Sequence, residues 1–299
     1  MNLIALATSR WGPSLVMSLC RLLPRSSIRH LGGWLSSYLA GQRDLEFVRN
    51  LRSNVAVIHG LPEEDANIDR AVAQLLYNAI MSYADFFRLV QVGPERARVA
   101  CELDPSMKQI VRECLATGQG LVLVGAHMCS FDILMLGLRE VFPSVQVLTN
   151  ANPEGSSRVM NQIRQEQGIE VTPISVRSLR QALSRLREGG VVAIAADLPV
   201  EFGEELTFFG RTSQLPVGHT RLALDTGAQI LVGVSHRVGE GAYQAEVVLA
   251  PRPESTGDRK RDGIHWAQDV LSRLEGFIRV WPDEWLMPIP VWPQPAWSP

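Results

Sequence analysis

The chain has 299 residues, 46% of them hydrophobic and 20% charged, with a formal net charge of −2. That length allows a large buried core, in one large α/β domain or two modest ones, and the near-neutral balance argues against a nucleic-acid partner. Four cysteines, Cys20, Cys101, Cys114 and Cys129, lack any Cys-x-x-Cys pair. They point away from a disulfide framework or a metal site and leave a reducing, cytoplasmic setting as the default.

At the start of the chain, Leu3–Ala7 is too short an apolar run for a membrane span or a signal peptide, and Arg10, Arg21 and Arg25 interrupt the next apolar stretch. Trp11, Leu15, Val16, Leu19, Leu22 and Leu23 recur at helical intervals among polar residues, a pattern that suits an interfacial helix or a helix packed on its own core. Residues 1–60 carry seven arginines against Asp44 and Glu46, an excess of +5 before histidines, which suits an anionic membrane surface. The expected location is therefore the cytoplasmic face of the plasma (inner) membrane, peripheral or shallowly anchored.

Further along, helical segments are expected at Trp34–Tyr38, Asp44–Ile58 and Ile68–Val92, broken by Gly41 and by Gly60-Leu61-Pro62. In the last of these, Leu76–Arg88 carries an apolar and aromatic face that could wall an acyl groove or simply face the core. Residues 1–105 then read as an N-terminal helical, membrane-associating arm, 106–288 as an α/β core and 289–299 as a Pro- and Trp-rich tail. Within the core, a helix at Met107–Thr117 leads to a strand at 121–125. A strand at Val145–Leu148, helices at Ser157–Gln167 and Leu179–Glu188, and a buried strand at Val191–Ala196 come next. This alternation implies a mostly parallel central sheet flanked by helices. A helix near Val217–Thr226 precedes Ile230–His236 and Tyr243–Leu249, which read as an antiparallel hairpin, so the sheet is mixed. A last amphipathic helix spans Ile264–Ile278.

The densest chemistry lies at Gly125-Ala-His127-Met-Cys-Ser-Phe-Asp132, where an apolar strand ends in a turn carrying a histidine and, five positions later, an aspartate in the first turn of a helix. An imidazole accepts a proton from a hydroxyl near neutral pH only when its tautomer and orientation are fixed, and a nearby carboxylate does both. On spacing alone, a satisfied turn histidine and an aspartate complementing the helix dipole are the commoner explanation. Cys129, inside the same motif, reads as a small packing residue. His30, His59, His219, His236 and His265 have no partners at convincing spacing.

Context extends the motif. Together with Gly190–Asp197, Phe208-Phe209-Gly210-Arg211, Leu215–Leu224 and Pro282-Asp283-Glu284-Trp285-Leu286, it resembles the lipid A biosynthesis acyltransferase family. That family includes bacterial lauroyl and myristoyl transferases and, more distantly, phosphatidylinositol mannoside acyltransferases. The resemblance runs in order from about Trp11 to Trp285. It implies a glycerolipid-acyltransferase-like fold and transfer of a fatty acyl chain from acyl-CoA or acyl-carrier protein to a hydroxyl of a glycolipid or lysophospholipid, with no metal and no cofactor.

By the same resemblance His127 is the general base and Asp132 its orienting carboxylate, while Arg164 binds a phosphate or the developing oxyanion. Backbone N–H groups of Met128–Phe131 are further candidates for the oxyanion. Asp197 ends a buried strand, where sites tend to form, but Leu198-Pro199 replaces the Gln that many relatives carry next. Glu205 matches a glutamate of the mannoside branch and is expected to bind an acceptor sugar, with Glu201 and Glu204 as competitors in the same loop. Arg211 and Arg221 flank a loop-to-helix junction suited to a phosphate, although structural salt bridges explain such arginines as often. Two other functions fit the same residues: an acyl thioesterase or lipid hydrolase using water, and a non-catalytic membrane-binding protein on the same scaffold.

Overall fold

The computed structural model of the chain describes residues 12–93, 101–103, 105–142 and 144–292, so Trp11 and all but the first residues of the 289–299 tail lie outside the described residues. Among the described residues four helices come first: α1 (Gly12–Leu22), α2 (Arg25–Ala40), α3 (Glu46–His59) and α4 (Ala66–Val92). Helix α3 stops at Gly60, whose left-handed φ of 65° lets its N–H turn back to Ala56 and Val57 carbonyls. Helix α4 restarts on Asp65, whose carboxylate accepts from the Asn67 N–H. Helix α2 begins nine residues before the expected Trp34, because Gly32-Gly33 does not break it. Gly32 is instead a site of close packing, where a Cβ would meet Ile80 of α4 at 3.3 Å.

Beyond the arm the elements alternate: β1 (Cys101–Leu103), α5 (Pro105–Ala116), β2 (Leu121–Gly125), α6 (Phe131–Val141), β3 (Val145–Thr149), α7 (Gly155–Glu166), β4 (Glu170–Pro173), α8 (Val176–Arg187) and β5 (Val191–Ala195). A two-stranded hairpin comes next, β6 (Glu204–Phe208) and β7 (Arg211–Leu215), then α9 (Gly218–Thr226), β8 (Gln229–Gly239), β9 (Ala242–Ala250), α10 (Arg259–Val280) and a 3₁₀ turn at Pro282–Glu284. Seven strands form one sheet in the order β1-β9-β8-β2-β5-β3-β4. Every pairing in it is parallel except β8 with β9. The mixed, mostly parallel α/β architecture is thus as the alternation implied. Three short elements, β1, β4 and β7, were not expected.

Burial explains the strand composition. Val122, Val124, Val192, Ile230 and Val232 lie on one face of the sheet in a cluster with α8, α9 and α10, whereas Leu121, Val191, Ala193 and Leu231 face α5, α6 and α7 on the other. A strand covered on both faces must be apolar throughout, which is why β2 and β5 read as continuous apolar runs. The second cluster also includes Cys20, Ile28, Met81 and Phe86, so α1, α2 and α4 share a core with the sheet.

Candidate active site

Parallel neighbours end at the same edge of a sheet, and the register of β2 with β5 decides what meets there. Gly125 lies opposite Ala195, so two residues further along each chain His127 and Asp197 face each other. His127 Nδ1 is 2.7 Å from Asp197 Oδ1, and the His127 backbone N–H donates to Asp197 Oδ2 at 2.7 Å. Asp197 is fully buried, and Oδ2 accepts a third bond from the Trp285 indole N–H at 2.8 Å.

The carboxylate that holds the imidazole is therefore Asp197, not the expected Asp132. Asp132 does sit in the first turn of α6, but its two oxygens accept from Arg164 of α7, Nε at 2.6 Å and Nη2 at 3.1 Å. Arg164 Nη1 donates to Asn161 at 2.7 Å. The sequence reading singles out all four residues but joins His127 to Asp132. Two side chains leaving adjacent turns of one loop and helix can diverge, and the β2–β5 register is invisible along a single stretch of chain.

Electrostatics are set by these contacts. Burial opposes a charged imidazole at His127, and so does the Arg164 guanidinium, yet the Asp197 carboxylate outweighs both and raises the histidine pKa above its ordinary value. Burial pushes the Asp197 carboxyl up, but the His127 charge and the converging N–H donors hold it below the usual carboxylate range. The His127 side chain remains 42% exposed. With Nδ1 committed to Asp197, the neutral ring presents its Nε2 lone pair as the available base.

The loop carrying His127 is clamped from the far end of the chain. The Cys129 N–H donates to the Glu284 carbonyl at 2.6 Å, and the Leu286 N–H to the His127 carbonyl at 2.8 Å. These contacts make Met128 and Trp285 an antiparallel bridge. They also narrow the expectation for the oxyanion to Ser130, since the N–H groups of Met128, Cys129 and Phe131 are already engaged, with Ala126, Glu284 and Met128 carbonyls respectively. Arg164 uses three of its five N–H donors on Asp132 and Asn161 and keeps two. Cys129 is buried, its Sγ 3.8 Å from the Leu75 carbonyl, and burial raises its thiol well above the ordinary value. That environment suppresses a thiolate.

The remaining expected residues lie around the β6–β7 hairpin, and among the described residues none of them hydrogen-bonds His127 or Asp197. Arg221 of α9 pairs with Glu204 at 2.9 Å, which Lys260 also approaches at 3.5 Å. Arg211 opposite Phe208 begins β7. The intervening turn explains the Phe-Phe-Gly-Arg sequence: Phe209 and Gly210 both take positive φ, 51° and 73°, as a two-residue hairpin turn requires. Phe209 is held there by a bond from its N–H to Glu275, by stacking on Trp285 and by Arg279 over its ring. Glu205 lines a cleft of about 500 Å³ with Pro199, Thr212, Gln214, Pro290 and Trp292. Among the described residues no group of His, Cys, Asp and Glu side chains is arranged to hold a metal ion. Sequence reasoning passed over Trp285 as a donor and Asn161 as a partner. Only the position of Trp285 inside the closing Pro-Asp-Glu-Trp-Leu motif hinted at a role.

Comparison with known proteins identifies the family. The sequence profile of the bacterial lipid A biosynthesis acyltransferases matches residues 4–293. A phosphatidylinositol mannoside acyltransferase of Mycolicibacterium smegmatis is 26% identical over 281 residues, 92% of this chain and 88% of that protein. A phosphatidylinositol mannoside acyltransferase of Mycobacterium tuberculosis is 28% identical over 279 residues, 91% of this chain and 84% of that protein. With the profile spanning almost the whole chain, the protein belongs to the bacterial lipid A biosynthesis acyltransferase family and is an acyltransferase.

Proposed function

We propose that His127 is the general base of an acyl transfer from acyl-CoA or acyl-carrier protein to a hydroxyl of a membrane glycolipid or lysophospholipid, with Asp197 as its orienting partner. The observation that carries the proposal is the His127 ring itself, bonded through Nδ1 to a fully buried carboxylate and 42% exposed at the side chain. Nε2 removes the proton of the acceptor hydroxyl as its oxygen attacks the thioester carbonyl. The tetrahedral intermediate then expels the thiolate, which takes the proton back from the imidazolium. No metal or covalent enzyme intermediate is needed, because the thioester is already activated. A base of this kind supplies about 10²–10⁴-fold. Arg164, paired with Asp132 yet retaining two N–H donors, is the group we assign to the oxyanion or to a substrate phosphate.

The acceptor class is supported by the names of the relatives, both phosphatidylinositol mannoside acyltransferases, and by the cleft at Glu205, where a carboxylate, a threonine hydroxyl and a glutamine amide lie beside apolar residues. Arg211 and Arg221 border the same hairpin and are assigned to the acceptor's phosphate, with Arg221 exchanging its Glu204 partner. Membrane association is supported by exposed apolar residues on the first two helices: Leu15, Leu19 and Leu22 on α1, and Leu31, Trp34 and Tyr38 on α2, beside Arg21 and Arg25. Among the described residues no helix is long and apolar enough to cross a membrane. The attachment we assign is peripheral or shallowly anchored, at the cytoplasmic face.

The test is thiol release from palmitoyl-CoA and from palmitoyl-carrier protein, with and without phosphatidylinositol mannosides or a total lipid extract, combined with mass spectrometry of the lipids. Release stimulated by lipid and accompanied by an acylated product supports transfer. Release indifferent to lipid identifies a thioesterase, and vesicle binding without turnover on either donor identifies a binding protein.

A further inference from the structure

We propose that Trp285 is a positioning residue of the active site, which through its indole N–H fixes the Asp197 carboxylate and with it the tautomer of His127. A carboxylate aims at its partner only when its rotation about its own axis is fixed, and Asp197 Oδ1 is the oxygen that faces the imidazole. Oδ2 receives two donors, the His127 backbone N–H at 2.7 Å and the Trp285 indole at 2.8 Å. Two N–H groups converging on one oxygen set that rotation, so Oδ1 points at Nδ1 before substrate arrives. One of the two donors belongs to the backbone of His127 itself. The indole is the donor that comes from outside the loop.

Trp285 is in turn held rigidly. It is almost fully buried, its ring meeting Phe208 edge-on at 5.9 Å and Phe209 in a stack at 6.3 Å. Its flanking backbone is tied to the histidine loop on both sides, through the Glu284 carbonyl to Cys129 and through the Leu286 N–H to the His127 carbonyl. The left-handed Phe209 ties the same stack to the hairpin that borders the Glu205 cleft. A buried tryptophan needs a hydrogen-bond partner for its N–H, and a backbone carbonyl commonly serves, as the Ala250 carbonyl does for Trp266 and the Phe208 carbonyl for Trp292. Trp285 instead spends its donor on the one carboxylate that holds the base.

The inference rests on His127 as the base, so its test has a readout independent of turnover. Trp285→Phe keeps the aromatic packing and removes the donor. Trp266→Phe removes an indole donor from the same apolar cluster, where the partner is the Ala250 carbonyl, and controls for lost packing and a lost buried bond. In ring ¹⁵N spectra, wild type and Trp266→Phe are expected to show the neutral His127 as the Nδ1–H tautomer, and Trp285→Phe a mixture with the Nε2–H form. The kcat of Trp285→Phe is expected to fall about 10–100-fold, the range for losing a hydrogen bond to a charged group, with KM for the acyl donor within about twofold. An unchanged tautomer in Trp285→Phe overturns the proposal, as does an equal loss of kcat in both variants. Failure of the base reading appears separately, as wild-type turnover by His127→Ala.

Discussion

Replacing Asp197 by asparagine changes one atom and separates the two candidate orienting carboxylates. Three N–H groups face the Asp197 carboxylate: the His127 backbone and the Trp285 indole at Oδ2, and the ring Nδ1 at Oδ1. The amide offers one oxygen and one NH₂. Placed at the Oδ2 site, the NH₂ would confront two donors whose positions are fixed, each left unsatisfied at about 1–3 kcal/mol. Placed at the Oδ1 site it confronts a nitrogen that can give up its proton. The NH₂ therefore takes the second site, the ring switches to the Nε2–H tautomer, and the nitrogen facing substrate is protonated and cannot act as a base. We expect Asp197→Asn to lower kcat by about 10²–10⁴-fold with little change in KM, as an amide in place of the orienting carboxylate does in histidine-dependent acyl transfer. Residual activity should also shift in pH dependence. In wild type the raised pKa of His127 places the acid limb of the rate profile above the ordinary histidine value. Without the carboxylate, burial and Arg164 remain and both disfavour the charged ring, so the limb moves to lower pH. Thiol release across pH, with ring ¹⁵N shifts as the structural readout, measures both. Asp197→Asn at near wild-type rate, beside an inactive Asp132→Asn with unchanged folding, would refute the assignment and return the orienting role to Asp132.

Asp132→Asn should leave the His127 tautomer intact while destabilising the fold, because it strands Arg164 in a site where its side chain is 17% exposed; removing one partner of such a pair costs about 3–5 kcal/mol. Urea unfolding checks this, and a shift below about 1 kcal/mol would show that the pair is not structural. The His127–Asp197 pair should also carry a pH-dependent share of stability. The raised His127 pKa contributes below the unfolded value and is lost as pH rises through the folded one, whereas the lowered Asp197 pKa contributes above the unfolded value and is lost as pH falls through the folded one. Stability should thus peak between those two limits, and His127→Ala should flatten that profile. Gly120→Ala, whose Cβ would fall 2.3 Å from the Leu186 carbonyl of α8, should destabilise the fold by about 1–3 kcal/mol, read as a lower urea midpoint at unchanged m-value. Leu19→Asp with Leu22→Asp on exposed α1 should weaken binding to anionic vesicles and leave the unfolding midpoint in place.

Legibility in the sequence tracked the range of the interactions. Strands β2 and β5 and helices α7 and α8 were readable because each shows its burial locally, as an apolar run or a helical stripe. The β8–β9 hairpin was readable from its glycine-flanked turn. Strand β7, Arg-Thr-Ser-Gln-Leu, was not, since only Ser213 and Leu215 of its five residues are buried and a polar alternation looks like loop. Strand β1 is three residues long and owes its existence to its partner β9. The site divided the same way. His127 stood out at the end of a strand, and Asp197 at the end of another, but the bond between them depends on strands 70 residues apart sharing a register. Trp285 is further still, 88 residues from the carboxylate it bonds.

The central claim, that His127 takes the acceptor's proton, is tested most directly by lipid-dependent acyl transfer in His127→Ala, read as acylated product by mass spectrometry alongside a folding check by circular dichroism. The expected result is a folded protein whose rate falls by about 10²–10⁴-fold and whose pH profile lacks the acid limb of the wild type, having lost the group that sets it. A folded His127→Ala that forms acylated lipid at the wild-type rate, with the wild-type pH profile, would contradict it.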